Sequence, residues 1–369
     1  MRILSIVGAR PQLVKAAVVC RAIANRGAVE HILVHTGQHY DARLSDIFFQ
    51  ELHIPEPAYN LGVGSGSHGV HTGETIKRLE PVLLTERPDW VLLYGDTNAT
   101  LAGAVAAAKI PAIRIAHLEA GLRSFNRSMP EEANRIVADH LSHLLLCPTT
   151  TAMDNLRREG LASRTVLTGD VMYDCVLMTR DIAERLSSPV LECWRPGQFA
   201  LATVHRQENT DNPVRLRAIL NALERVANTI CPVLLPLHPR THKRLDEDGW
   251  KPSALKLCPP LSYCEMLAME TRARLILTDS GGVQKEAYFA QVPCVTMRDE
   301  TEWVETVQTG WNVLVGTDAA RIARVVGSFV VPPVRPPLYG GGAAERICKC
   351  LSMDRHSIAG GPKANGSHR

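Results

Sequence analysis

What the chain lacks narrows it first. Its 369 residues carry no marked excess of charge, 41 Lys and Arg against 38 Asp and Glu for a formal +3. A balance so even implies no nucleic-acid or membrane-surface partner for the whole molecule, so any anion is bound locally. No apolar run approaches the ~20 residues of a membrane span, and the chain enters a strand pattern directly at Ile3 to Val7. Ten cysteines are scattered from Cys20 to Cys350, and the only close pair, Cys348 and Cys350, falls on an amphipathic helix pattern. That usage suits a reducing compartment with idle thiols, not a disulfide framework or a zinc site. The expected location is the cytoplasm. HExxH, a tight aspartate cluster and the GK[ST] ending of a P-loop are also absent, so no metal is expected. No internal repeat of fixed period is visible.

What is present is an alternation of short apolar runs and helical patterns, the mark of a parallel sheet covered by helices. Strands are predicted at 3–7, 31–37, 89–96, 112–121 and 144–149, with helices at 12–25, 42–52, 70–84, 99–109 and 131–141. A second set begins near Phe199 with FALATVH, PVLLPLH, ALKLCP, LILTDS, PCVTM and NVLVG. Between the sets, SSP and RPG breakers interrupt a helix-like segment, which reads as a linker. The chain is long enough for two α/β domains. They are expected at 1–168 and 169–340, followed at 341–369 by one last helix and a frayed tail.

The chemistry-bearing residues follow the strands, where a parallel sheet presents its ligands. TDSGGVQKEA (278–287) is a strand-to-helix turn. Ser280, Gly281 and Gly282 there offer free N–H groups at the positive end of a helix dipole, and two glycines let a phosphate come close. Glu286, a turn later, can accept hydrogen bonds from sugar hydroxyls. A diphosphate-linked ribose fits both features, and an ordinary turn with an N-cap serine fits the same residues. GARPQLVKA (8–16) places Arg10 at the first such turn and Lys15 about one turn in. These cations suit a diphosphate, or are simply solvated.

YGDTNAT ends a strand at Asp96, and HLEAGLRSF brings Glu119 out of the apolar run AIRIAHL, where a carboxylate is costly unless paired or used. MPEEANRIVADH opens a helix with Glu131 and Glu132, and Arg135 follows on the face of Glu131. The helix dipole favours acids there, so one of the two glutamates is expected to have only that role. Three carboxylates so placed can converge for proton transfer. In the second half, TVHRQENTD supplies His205 and Arg206, PLHPRT supplies His238 and Arg240, and VTMRDETEWVE supplies Arg298 and Glu302. Two strand-end histidines followed by arginines, in a domain that also holds TDSGG, point to phosphate recognition.

Taken together, GARP, QHYD, YGDTNAT, HLEAGLRS, MPEEANR, HRQEN, LHPRT, TDSGGVQKEA and MRDETE occur in an order that resembles the non-hydrolysing UDP-N-acetylglucosamine 2-epimerases, from residue 3 to about residue 351. The resemblance implies a GT-B architecture, two Rossmann-like parallel-sheet domains facing a central cleft with the C-terminal helix crossing back to the first. It implies a UDP-sugar substrate, a homodimer, and neither a nicotinamide nor a metal. By the same analogy the TDSGG turn and Glu286 hold phosphate and ribose, Arg10, Lys15 and His205 hold the diphosphate, and Asp96, Glu119 and Glu131 surround the sugar. Because the carbon 2 hydrogen of such a sugar is not acidic, the family's chemistry is elimination of UDP to 2-acetamidoglucal followed by re-addition. Asp96 and Glu131 are expected to handle the protons, with Glu119 as electrostatic support.

Three departures from the family pattern bear on the substrate: Gln12 where many members carry Glu, Met266 in place of an aromatic residue, and Trp303 where the best-known members carry Arg. If Trp303 touches ligand, a unit of charge is lost there. UDP-N-acetylglucosamine is the first substrate reading and UDP-2,3-diacetamido-2,3-dideoxyglucuronic acid the second. A GT-B glycosyltransferase and a non-catalytic UDP-sugar sensor remain, and three acids in the first domain count against both. The loop Gln38, His39, Tyr40, Asp41 has one glutamine where some relatives use a pair to bind a regulatory sugar nucleotide, so substrate activation is expected to be weak.

Overall fold

Near-continuous apolar runs suit strands buried on both faces, and every described strand pair is parallel. The computed structural model describes residues 1–37, 49, 51–237 and 239–353. They form two units, Met1–Cys175 with the chain from Tyr339 onward, and Val176–Leu338.

The first unit holds β1 (Arg2–Val7), β2 (Glu30–His35), β3 (Tyr59–Asn60), β4 (Trp90–Tyr94), β5 (Arg114–Leu118), β6 (Leu144–Cys147) and β7 (Thr165–Leu167). They lie in the order β3-β2-β1-β4-β5-β6-β7. Leu4 on β1 pairs with Ile32 on one side and Val91 on the other, which sets these side chains into one core with Val34, Leu93 and Ile115. The strand order reverses between β1 and β4, and the space beyond their carboxyl ends is where such sheets bind ligands. Gly8 and Arg10 follow β1 there, and Asp96 follows β4.

The second unit repeats the plan with β8 (Ala200–Thr203), β9 (Val233–Pro236), β10 (Lys256–Cys258), β11 (Leu275–Thr278), β12 (Cys294–Thr296) and β13 (Asn312–Leu314), in the order β10-β9-β8-β11-β12-β13. Its switch point lies between β8 and β11. His205 follows the first of these and Ser280 the second.

The helix Val171–Arg185 passes from one unit to the other, so the division falls inside a helix at Cys175 and Val176 instead of at the glycine before it. Its first turn belongs to the first unit because Asp174 accepts the N–H groups of Gly342 (2.7 Å) and Ala344 (2.8 Å), capping the helix Ala343–Ser352. That last helix is fixed to the first sheet by Trp90, whose indole N–H donates to the Leu351 carbonyl at 3.1 Å. The edge strands β3 and β7 escaped the sequence pattern because two or three half-buried residues carry no periodicity. The helix anticipated at 42–52 falls mainly outside the described residues.

Candidate active site

The turn after β1 is built on Gln12. Its Oε1 accepts the N–H groups of Gly8 (2.8 Å) and Ala9 (3.2 Å), while its amide donates to the Tyr94 carbonyl (2.7 Å) and Thr100 (3.1 Å). An ionised glutamate could not give the last two bonds, so the amide is a structural choice that ties β1 to β4. Arg10 begins the helix Arg10–Ala24 and is exposed. Lys15, expected over a diphosphate, is buried, and its ammonium bonds the Glu119 carboxylate. The pair lies beside Gly95, where a Cβ would meet the ammonium at 2.9 Å and the carboxylate at 3.1 Å.

Asp96 is 31% exposed and accepts two bonds from the buried guanidinium of Arg135, at 3.0 and 2.6 Å. Arg135, which the sequence places on the face of Glu131, bridges Asp96 and Glu132, the latter at 2.7 Å. Glu132 also accepts Ser124 N–H and Oγ–H and Phe125 N–H, each at 3.0 Å. Burial pushes its carboxyl up, but these N–H groups and the Arg135 charge outweigh burial and hold it below the usual carboxylate range. The structural acid of the pair is therefore Glu132, and Glu131 stays half-buried at the helix start. Glu119 adopts a left-handed φ of 63°, unusual for a residue with a side chain. Gly121, two residues on at φ 84°, has the Ala152 carbonyl where a Cβ would stand. Sequence patterns passed over His117 and Asp139, which form a buried cluster with Arg123 behind these carboxylates. A histidine inside the apolar run of β5 was the available signal, because a buried polar ring needs partners.

In the second unit Asp279 is fully buried and accepts the N–H groups of His205 (3.1 Å) and Arg206 (3.0 Å) and the Asn209 amide (3.0 Å). This holds the loop after β8 beside the turn after β11. The His205 ring is 41% exposed, with Nδ1 3.9 Å from Asp279. Ser280 caps the helix Gly281–Ala290 by accepting from Val283 N–H at 3.4 Å. Glu286 lies a turn into it and is buried near Glu270. Burial, and then the charge of Glu286, pushes the Glu270 carboxyl well above its usual range.

Arg298 departs from expectation. Its guanidinium is fully buried and pairs with Glu302 at 3.0 Å, and Glu302 lies against Gly281. Trp303 is 3% exposed, with the Lys285 ammonium 4.0 Å from its ring centroid. The charge that an arginine at 303 would bring is thus present on a neighbouring residue. His238 and the loop at 38–41 lie outside the described residues.

The profile of the UDP-N-acetylglucosamine 2-epimerase family matches residues 21–352. The chain belongs to that family. It is 49% identical over 358 residues to the UDP-2,3-diacetamido-2,3-dideoxy-D-glucuronate 2-epimerase of Pseudomonas aeruginosa, covering 95% of this chain and 99% of that one. The structure of the Methanocaldococcus jannaschii UDP-GlcNAc 2-epimerase in complex with UDP-GlcNAc and UDP superposes with a TM-score of 0.89 at 40% identity, covering 95% of this chain and 99% of that one. The Neisseria meningitidis UDP-GlcNAc 2-epimerase bound to UDP-GlcNAc gives 0.88 at 26% identity, over 95% and 99%. Two parallel-sheet α/β units of this kind make the chain a GT-B fold and an epimerase by family. No helix among the described residues is long and apolar enough to cross a membrane.

Proposed function

We propose that this protein reversibly epimerises carbon 2 of a UDP-N-acetylamino sugar by eliminating UDP and adding it back, supplying a precursor for surface polysaccharide. The observation that carries the proposal is the arrangement at the β1/β4 switch point. There Asp96 is partly open to solvent and Glu119 is held in a strained backbone conformation. One carboxylate removes the carbon 2 hydrogen as the carbon 1–oxygen bond breaks, and an acid on the other face of the 2-acetamidoglucal delivers a proton as UDP returns. Asp96 and Glu131 are assigned these two steps. Glu119, held in place by its ion pair with Lys15, is assigned electrostatic support of the ring. Arg10, His205 and the Ser280–Gly282 turn take the departing diphosphate, and Glu286 takes the ribose. His238 is assigned to phosphate contact from its motif. Arg135 and Arg298 act behind the contact residues.

UDP-N-acetylglucosamine is the substrate read first, supported by the likeness to the two complexes with that sugar nucleotide. The diacetamido uronate is the second reading, favoured by 49% identity to an enzyme named for it. The family resemblance supports a homodimer, which sedimentation measures, and the ten free cysteines support a reducing, cytoplasmic setting. The test is turnover of each sugar nucleotide in deuterated water. Deuterium at carbon 2 of the product is expected. Product that keeps its original hydrogen sinks the elimination, and a ~100-fold higher kcat/KM for the uronate, ~2.7 kcal/mol, reverses the order of substrates.

A further inference from the structure

Two glycines frame the candidate carboxylates: Gly95 precedes Asp96, and Gly121 follows Glu119 by two residues. One buried cluster holds both. His117 is fully buried on β5 and sets Nε2 2.6 Å from the Gly95 carbonyl oxygen and Nδ1 2.7 Å from Asp139 Oδ1. The other oxygen of Asp139 accepts the Gly121 N–H at 3.1 Å and lies 2.8 Å from the Arg123 guanidinium. A chain of contacts therefore runs from Gly95 through His117 and Asp139 to Gly121.

A ring that meets both contacts fixes the Gly95 peptide relative to Asp139, and through Asp139 the Gly121 peptide. Burial pushes the Asp139 carboxyl up, but the His117 hydrogen bond and the Arg123 charge outweigh it and hold the group below the usual range, which keeps the acceptor at the middle of this chain. We infer that His117 is a positioning residue that ties Asp96 and Glu119 into one frame.

The cluster is anchored in several elements. Asp139 faces the ring from the helix Pro130–Leu141, and Arg123 approaches from the loop after β5 with Glu159 bonded to its other edge at 2.8 and 2.7 Å. The frame also has something to hold. Glu119 at φ 63° occupies a region that is unfavourable for a non-glycine residue, and such a conformation persists only where its neighbours over-determine it.

The inference rests on the proposed roles of Asp96 and Glu119. Its test is His117→Gln, whose amide cannot span both acceptors, with Asp139→Asn beside it. Each is expected to lower kcat by ~10-fold or more while KM and UDP affinity stay within about twofold, since a slightly misplaced catalytic group loses rate and not nucleotide binding. Undiminished kcat in a folded His117→Gln protein, with Asp96→Asn and Glu119→Gln inactive, overturns the inference alone. Full turnover in Asp96→Asn and Glu119→Gln overturns the reading on which it rests.

Discussion

Glu131 and Glu132 are neighbours of identical chemistry; the structure buries Glu132 in a hydrogen-bond network, and the proposed mechanism uses Glu131, so one substitution at each separates stability from catalysis. Glu132 is 2% exposed and accepts four hydrogen bonds, three of them from Ser124 and Phe125 and the fourth from the buried Arg135 guanidinium. Glu132→Gln keeps the shape, removes the charge that offsets Arg135, and turns an amide N–H toward donors. A hydrogen bond to a charged group contributes ~1.5–3 kcal/mol, and breaking a buried ion pair costs ~3–5 kcal/mol. About 3 kcal/mol is the expected loss, because Arg135 keeps Asp96. At roughly 2–4 °C per kcal/mol for a unit of this size, the melting transition is expected to fall by about 6–12 °C. Glu131→Gln touches no such network and is expected to stay within about 0.5 kcal/mol of the parent while losing ~100-fold or more in kcat. Calorimetry and turnover on the two proteins decide it. Equal melting shifts, or full activity in Glu131→Gln, would refute the division of roles.

Three further outcomes follow from buried charge and backbone. The folded protein keeps the proton on Glu270 above the ~4.3 at which the unfolded chain releases it, so this group removes stability as pH rises; the Tm advantage of Glu270→Gln over the parent is expected to widen from pH 5 to 8, and a constant difference would contradict it. Trp303→Arg sets a guanidinium beside the buried Lys285 ammonium and is expected to cost about 3 kcal/mol. Adding Lys285→Glu is expected to recover ~1–3 kcal/mol of that in a denaturant-based double-mutant cycle, and strict additivity would argue that the two side chains are independent. Gly121→Ala must take a φ of 84° and displace the Ala152 carbonyl, so it is expected to lose 2 kcal/mol or more, or to yield no soluble protein, and a parental Tm would refute that account.

The sequence by itself determined the parallel-sheet class and the turns that matter, because both depend on local pattern. Apolar runs such as Val91–Leu93 announce strands whatever surrounds them, and Ser280–Gly282 announces a helix N-terminus through the residue types that such a turn requires. Only the tertiary structure decided which charged groups are buried against each other and which stay open to solvent. Lys15 and Glu119 stand 104 residues apart, and Arg135 and Asp96 stand 39 apart. No periodicity registers contacts at such separations. Choosing Glu132 over Glu131 as the buried acid required the position of the loop at Ser124, and recognising His117 as a link between two strand ends required Asp139 from a helix formed later in the chain. Arg298 shows the same limit from the other side. Its place after a strand is legible, but its burial against Glu302 depends on where the chain turns next, and a side chain's partner follows from the packing of the whole unit around it.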